Sequence, residues 1–344
     1  MALAASLPFE LACLSRHLLW QKYNNQSLPG TCNLIFYVTV TLYSLLYERT
    51  TRNPAECSGV GLHSGAPVHL RILPAPTGTG IVFRRTDLDN FEVEAISRNV
   101  AKVSYATSLM KKGVLISTTE HLLSAFIGMG VDNAIVELDN LELPILDGSA
   151  LPFVEMLTRA GLRQQRRKRV YLKILRPYEM REGDKFIGVY PAERYSVSYA
   201  INFPHPLIGS ERFQVELSNG SYVKQIASAR TFGFLEQQRA MLNMGLIRGA
   251  SRDNCIVLTP EGIDNPPLRY SDEFVRHKVL DLIGDLALFG KHILGYVKAD
   301  RAGHAMHTAI VSRILRDPTY AEEVTLDEAA VADWPAEAAV SAAD

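Results

Sequence analysis

The chain is short of cysteine. Only Cys13, Cys32, Cys57 and Cys255 occur in 344 residues, and no two have CxxC spacing. A disulfide framework is excluded, a reducing compartment is the default, and zinc, if present, must be held by histidine and carboxylate. An excess of charge of either sign is missing too. The 36 Lys and Arg against 37 Asp and Glu leave a formal net charge of −1, so no bulk attraction to nucleic acid or to an anionic membrane is expected. Any anion has to be recognised locally. The sequence also contains neither HExxH nor another common peptidase motif.

Long hydrophobic runs are absent from most of the chain. The densest, LIFYVTVTLYSLLY (34–47), is shorter than the ~20 residues a transmembrane helix needs. It lies in an extension (1–49) that reads unlike the rest, with no charge from Tyr23 to Tyr47. A signal peptide fits poorly, because the basic start is weak and no small-residue cleavage site is clear. Two readings remain. The extension is an artefact of start-site assignment, although no methionine follows Met1 before Met110, or it is a membrane-associating helix. No stable membrane insertion is expected of the core.

What is present is ordinary for a soluble protein, 47 % apolar and 21 % charged, with length enough for two domains. Strands are expected at VHLRIL (68–73), GIVFRR (80–85), AIVELDN (134–140), VYLKIL (170–175), FIGVYP (186–191), YSVSYAINF (195–203) and ILGYVKA (293–299). Helices are expected after STT at 117–119, over DGSALPFVEMLTRAG (147–161), over 271–290 and over roughly 304–315. The basic run RQQRRKR (163–169) reads as a solvated interdomain linker. The pattern predicts an α+β protein of two similar domains, 50–167 and 168–318, with a C-terminal tail at 319–344.

The chain is organised around SDEFVRHKVLDLIGDLALFG (271–290). Val275, Val279, Leu282, Ile283, Leu286 and Phe289 give it one apolar face, Ser271 offers a cap, and Gly290 a terminus. Opposite them His277, Asp281 and Asp285 recur every four residues, within one stripe. A solvated His–Asp pair is the ordinary explanation of such spacing. Glu120-His121 is a second candidate pair, although Ser117-x-x-Glu120 also fits a capping box. Together His121, His277 and Asp281 would supply three ligands with a fourth position open, the arrangement of catalytic zinc. Glu120 would then stand beside the ion as a base. For the acid, spacing leaves His304 and His307 as alternatives, either oriented by Asp285. Lys278 reads as an anion contact or a surface lysine, and Thr231 as an oyxanion donor or an ST-turn. Asp147-Gly148-Ser149 reads as a turn leading into a cap.

GVGLHSG, STTEHLLSA, VDNAIVELDN, PILDGSALPFVEML, SARTFGF, FVRHKVLDLIGDL and AGHAMHTAIV resemble, in order, the UDP-3-O-acyl-N-acetylglucosamine deacetylases of lipid A synthesis, and the resemblance runs from about residue 50 to 315. It implies a sheet layered against helices in each of the two domains and an active site between them. The resemblance implies zinc on His121, His277 and Asp281, one ion per chain with Fe2+ as the alternative metal. It further implies Glu120 as base, His304 rather than His307 as acid, Asp285 as its partner and Thr231 at the oxyanion. Lys278 would meet substrate phosphates, Phe232 would line the site, and His63 would lie near the nucleotide. An insert with Phe234, Leu235, Met241, Leu242 and Leu246 would line a passage for the acyl chain. Arg252 departs from the family, which carries an apolar or aromatic residue there. The implied partner is acylated UDP-N-acetylglucosamine, acted on by a monomer in the cytoplasm, with peripheral contact at the inner membrane as the alternative.

Overall fold

A computed structural model describes residues 44–101, 105–265, 267–331 and 334. In chain order the first half runs β1 (Tyr47–Thr51), β2 (Ala55–Val60), β3 (Pro67–Pro74), β4 (Ile81–Arg85) and β5 (Phe91–Glu94). It continues through β6 (Leu109–Lys111), β7 (Val114–Ile116), helix α1 (Glu120–Met129), β8 (Ala134–Leu138), α2 (Leu151–Ala160) and β9 (Leu162–Lys168). The second half opens with β10 (Val170–Ile174), β11 (Tyr178–Glu182), β12 (Lys185–Tyr190), β13 (Ser196–Phe203) and β14 (Gly209–Glu216). Then come α3 (Asn219–Gln225), β15 (Phe232–Phe234), α4 (Leu235–Asn243), β16 (Ile256–Leu258) and α5 (Glu273–Leu286). The chain continues through β17 (His292–Leu294), β18 (Tyr296–Asp300), α6 (His304–Arg316) and β19 (Ala321–Thr325). The fold is α+β.

The two halves repeat one topology. The first has a five-stranded sheet in the order β2-β3-β8-β4-β5, the second one in the order β11-β12-β18-β13-β14. In each, the last strand in sequence sits at the centre, parallel to one neighbour and antiparallel to the other. A helix precedes each central strand, α1 before β8 and α5 before β18, and a helix follows each, α2 and α6. α1 and α5 are therefore equivalent elements, and they pack on one another.

Alternation explains the sheet faces. Val68, Leu70 and Ile72 of β3 and Ala134, Val136 and Leu138 of β8 are buried. The opposite face carries a row of alternating charge with one residue on each strand: Glu56, Arg71, Glu137, Arg84 and Glu92 stand in matched register. Glu137 is shared, 3.1 Å from both Arg71 and Arg84.

Glycine permits the central helix contact. A Cβ on Gly284 of α5 would lie 2.0 Å from the carbonyl oxygen of Glu120, the first residue of α1. Only a residue without a side chain lets the two helices approach this closely.

Several expectations are corrected. Residues 162–168 are a strand, not a linker: β9 pairs antiparallel with β1, so its backbone is satisfied while its long basic side chains stay in water. Its Gln165 carboxamide turns inward to Asn133 and to the Ala75 carbonyl. The expected boundaries at 49/50 and 167/168 thus fall within β1 and β9. The tail expected from 319 begins with β19, which pairs with β10. The run 293–299 is not one strand, because Gly295 divides it between β17, beside β10, and β18, in the second large sheet. A Cβ on Gly295 would meet Ile174 at 2.8 Å, so the crossing between sheets is close. Ser271 does not cap α5, whose N-cap is Asp272. The capping box at Ser117 is not formed either. α1 starts at Glu120, and the Ser117 hydroxyl pairs with Ser108. The readings made for 1–43 and for 335–344 lie outside the described residues. Among the described residues, no helix is long and apolar enough to cross a membrane.

Candidate metal centre

His121 is the second residue of α1, while His277 and Asp281 stand one turn apart on α5. All three are buried, and their ligand atoms lie within 4.8 Å of one another. Asp281 Oδ1 is 3.7 Å from His121 Nε2 and 3.3 Å from His277 Nε2. A tetrahedral ion with bonds of about 2.1 Å has edges of about 3.4 Å between its ligands, close to these two separations. Protonation fits as well. His277 Nδ1–H donates to the Ala229 carbonyl at 3.0 Å, which leaves Nε2 with its lone pair. Burial pushes His277 down to about 3, so its imidazole is neutral at pH 7. Burial opposes the charge on Asp281, but the Lys278 ammonium, with Nζ at 2.6 Å, helps to hold it well below the usual carboxylate range. Two imidazoles and one carboxylate make a donor set that a divalent cation would satisfy.

Two proton-carrying groups flank the donors. Glu120 is buried, and burial pushes its carboxyl up, against the influence of His304 and His121. Its Oε2 accepts the Thr107 N–H at 3.1 Å. His304, at the start of α6, has Nδ1 2.7 Å from Asp285 Oδ2 and Nε2 4.0 Å from Asp281 Oδ2. Burial disfavours its charge, but Asp285 outweighs that and raises it to about 9. His307 also reaches Asp285 Oδ2, at 2.8 Å, but its Nε2 lies 3.2 Å from the Tyr199 hydroxyl and it is 1 % exposed. His304 borders the adjoining cavity; His307 is not among its lining. The structure thus separates two histidines that spacing left equal.

That cavity, about 750 Å³, brings together His63, Glu120, His121, Thr231, Phe232, Phe234, His277, Lys278, Asp281 and His304. Asp285 lies behind His304, in contact through Nδ1. Thr231 is held by its backbone, N–H to the Gly148 carbonyl at 2.8 Å and carbonyl to Ile256 N–H at 2.8 Å. The Asp147-Gly148-Ser149 turn, closed by Ser149 N–H to Asp147 at 2.9 Å, therefore seats Thr231. Lys278 Nζ is 5.5 Å from the centre of the Phe232 ring. Leu235, Met241, Ile247 and Val257 extend the apolar wall. Leu242 does not belong to it, being 45 % exposed, and neither does Leu246. Arg252 borders the cavity with Asp264, its Nε 3.0 Å from the carboxylate.

Two buried residues escaped the sequence reading. Glu142 accepts the N–H groups of His63 and Ser64, at 2.9 and 2.7 Å, and the Thr118 hydroxyl at 2.9 Å. It fixes the glycine-rich turn against the strand leading to α1. Both ring nitrogens of His63 are buried without a protein partner, so this imidazole has two polar positions to offer a ligand. A lone acid inside the apolar run LELPIL (141–146) was the available signal for Glu142. Thr107 had no local signal, since its partner Asp285 is 178 residues away.

A family model described as UDP-3-O-acyl N-acetylglycosamine deacetylase matches residues 48–316. Among curated proteins, the chain is similar to a UDP-3-O-acyl-N-acetylglucosamine deacetylase of Solibacter usitatus, 55 % identical over 83 % of this chain and 96 % of that protein. Proteins of the same name from Anaeromyxobacter and Myxococcus xanthus are 46 % and 43 % identical, over 79 % and 80 % of this chain and 89 % of each relative.

Proposed function

The chain belongs to the UDP-3-O-acyl N-acetylglycosamine deacetylase family, and from that membership we propose that it hydrolyses the N-acetyl group of UDP-3-O-acyl-N-acetylglucosamine. The products are acetate and UDP-3-O-acyl-glucosamine, in the committed step of lipid A biosynthesis. The observation that carries this reading is the convergence of His121, His277 and Asp281 between a buried carboxylate and a charged imidazole, at the wall of a cavity that turns apolar. We assign the donors to one zinc ion per chain, with Fe2+ as the alternative, and the active unit to a cytoplasmic monomer or one in peripheral contact with the inner membrane.

When bound, zinc supplies Lewis acidity, lowering the pKa of water towards ~7 and polarising an amide carbonyl. Glu120 takes the proton of the attacking water on its carboxylate, which the Thr107 N–H holds in place. The Thr231 hydroxyl donates to the carbonyl oxygen as negative charge builds there. His304 gives its Nε2 proton to the departing amine, and Asp285, bonded to Nδ1 at 2.7 Å, stabilises the charged ring and fixes its plane. The C–N bond breaks as the amine is protonated. Lys278 and His63 contact the phosphates and the nucleotide, Phe232 borders the sugar, and Phe234, Leu235 and Met241 hold the acyl chain.

The test is acetate release by the full-length, zinc-loaded chain from acylated and from unacylated UDP-N-acetylglucosamine. Turnover of the acylated sugar alone is expected. Equal turnover of both would remove the acyl-chain role of the apolar wall, and turnover of neither would leave a metal-binding module without this activity.

A further inference from the structure

We propose that Thr107 is a positioning residue that holds the base and the acid in mutual register, an inference that rests on the deacetylase reading above. Thr107 is fully buried and spends every polar atom on the site. Its N–H donates to Glu120 Oε2 at 3.1 Å. Its hydroxyl donates to Asp285 Oδ1, by a short bond, and lies 3.3 Å from His304 Nδ1. Its carbonyl accepts both the N–H and the hydroxyl of Thr119, each at 3.2 Å, at the N-terminus of α1. One residue therefore ties α1, through Glu120 and Thr119, to α5, through Asp285.

The arrangement distributes the Asp285 lone pairs. His304 and His307 both approach Oδ2, at 2.7 and 2.8 Å. The Thr107 hydroxyl occupies Oδ1, so the carboxylate is held from both sides and its plane is fixed. Without that hydroxyl, Oδ1 is left unsatisfied in a buried site and the carboxylate is free to rotate towards a new donor. Rotation would carry His304 away from the position from which Nε2 delivers its proton. The backbone contact to Glu120 survives a side-chain change, so the hydroxyl acts on the acid and the N–H on the base. Proton delivery depends on geometry at the level of about 1 Å, and substrate contacts lie elsewhere. The effect therefore belongs in kcat rather than in KM.

The experiment compares the full-length, metal-loaded parent with Thr107→Val, which keeps the shape and loses the hydroxyl, and with Thr107→Ser, which keeps the hydroxyl. Acetate release, bound metal, Tm and the His304 imidazole N–H proton resonance, assigned by its loss in His304→Ala, are measured on each. For Thr107→Val we expect kcat to fall about 10–100-fold with KM within about twofold, metal content unchanged, and the His304 resonance displaced. Thr107→Ser should restore both kcat and the resonance. Parental kcat with an undisplaced resonance in Thr107→Val would overturn the proposal, as would equal losses in the two variants, which would show that retaining the hydroxyl does not preserve the acid's position. If the valine variant does not fold, Thr107→Ala carries the same expectations. Should the parent release no acetate, the deacetylase reading falls, and the resonance alone decides whether Thr107 holds the acid.

Discussion

At the scale of residues, the chemistry rests on protons held where burial and partners put them. Glu120→Ala should keep its metal, since Glu120 is not one of the three donors, and lose turnover by about 10²–10⁴-fold, the range typical of a removed general base. Metal analysis beside acetate release checks both halves of that statement. The two histidines on Asp285 make a sharper pair. His304→Ala should lose kcat with little change in Tm, because its ring borders the cavity. His307→Ala should lower Tm, because it deletes a buried ring bonded to Asp285 and Tyr199. Thermal melts and initial rates on the two variants would show opposite rankings. Most of this site was legible in the sequence because its donors sit at helical spacing or as sequence neighbours. Thr107 and Glu142 were not. Each acts through a contact made by tertiary folding, and a hydroxyl or a carboxylate alone gives no period to detect. Leu242 was misread for a related reason: apolar character marked the insert, but only the fold shows which side of α4 faces the cavity.

At the scale of elements, the fit of α1 against α5 sets the geometry. Gly284→Ala would press a methyl group against the Glu120 carbonyl and push the helices apart, despite the gain of roughly 1 kcal/mol in helix propensity. Metal affinity should drop about 10–100-fold and Tm should fall, measurable by competitive chelation and melting. Glu211 of β14 gives a pH-dependent handle on the same helix. Its carboxylate accepts the Val275 N–H at 3.1 Å, yet burial pushes its pKa up to about 7, with Asp272 adding to the rise. A carboxyl raised above its unfolded value favours the fold while protonated. That stability is fully present below about 4.5 and is lost as pH rises through about 7. Glu211→Gln should therefore match the parent near the acid end and exceed its Tm at pH 8. A pH series of melts tests it, and parallel curves would refute the assignment. Helices were the legible elements here, since the apolar stripe of α5 is unambiguous. The charged strand β9 was hidden because pairing with β1 needs no apolar alternation, and the break at Gly295 was hidden inside a continuous apolar run.

At the scale of the whole molecule, one topology occurs twice and the site uses its copies unequally. α1 brings Glu120 and His121, α5 brings His277, Asp281 and Asp285, and α6 brings His304. The strand entering the site is anchored by a buried pair, with Arg230 N–H and Nε–H donating to Glu273 Oε1 at 2.9 and 2.8 Å. Glu273→Ala strands the guanidinium without its partner and should cost about 3–5 kcal/mol, read as a shift in denaturant midpoint. The repeat of sheet order could not be seen in the sequence, because strand order is set by which edges meet and not by which residues are apolar. The three candidate donors are split between α1 and α5, so a divalent cation taken up there would act as a cross-link between the two halves, adding its own binding free energy to the stability of the helix contact.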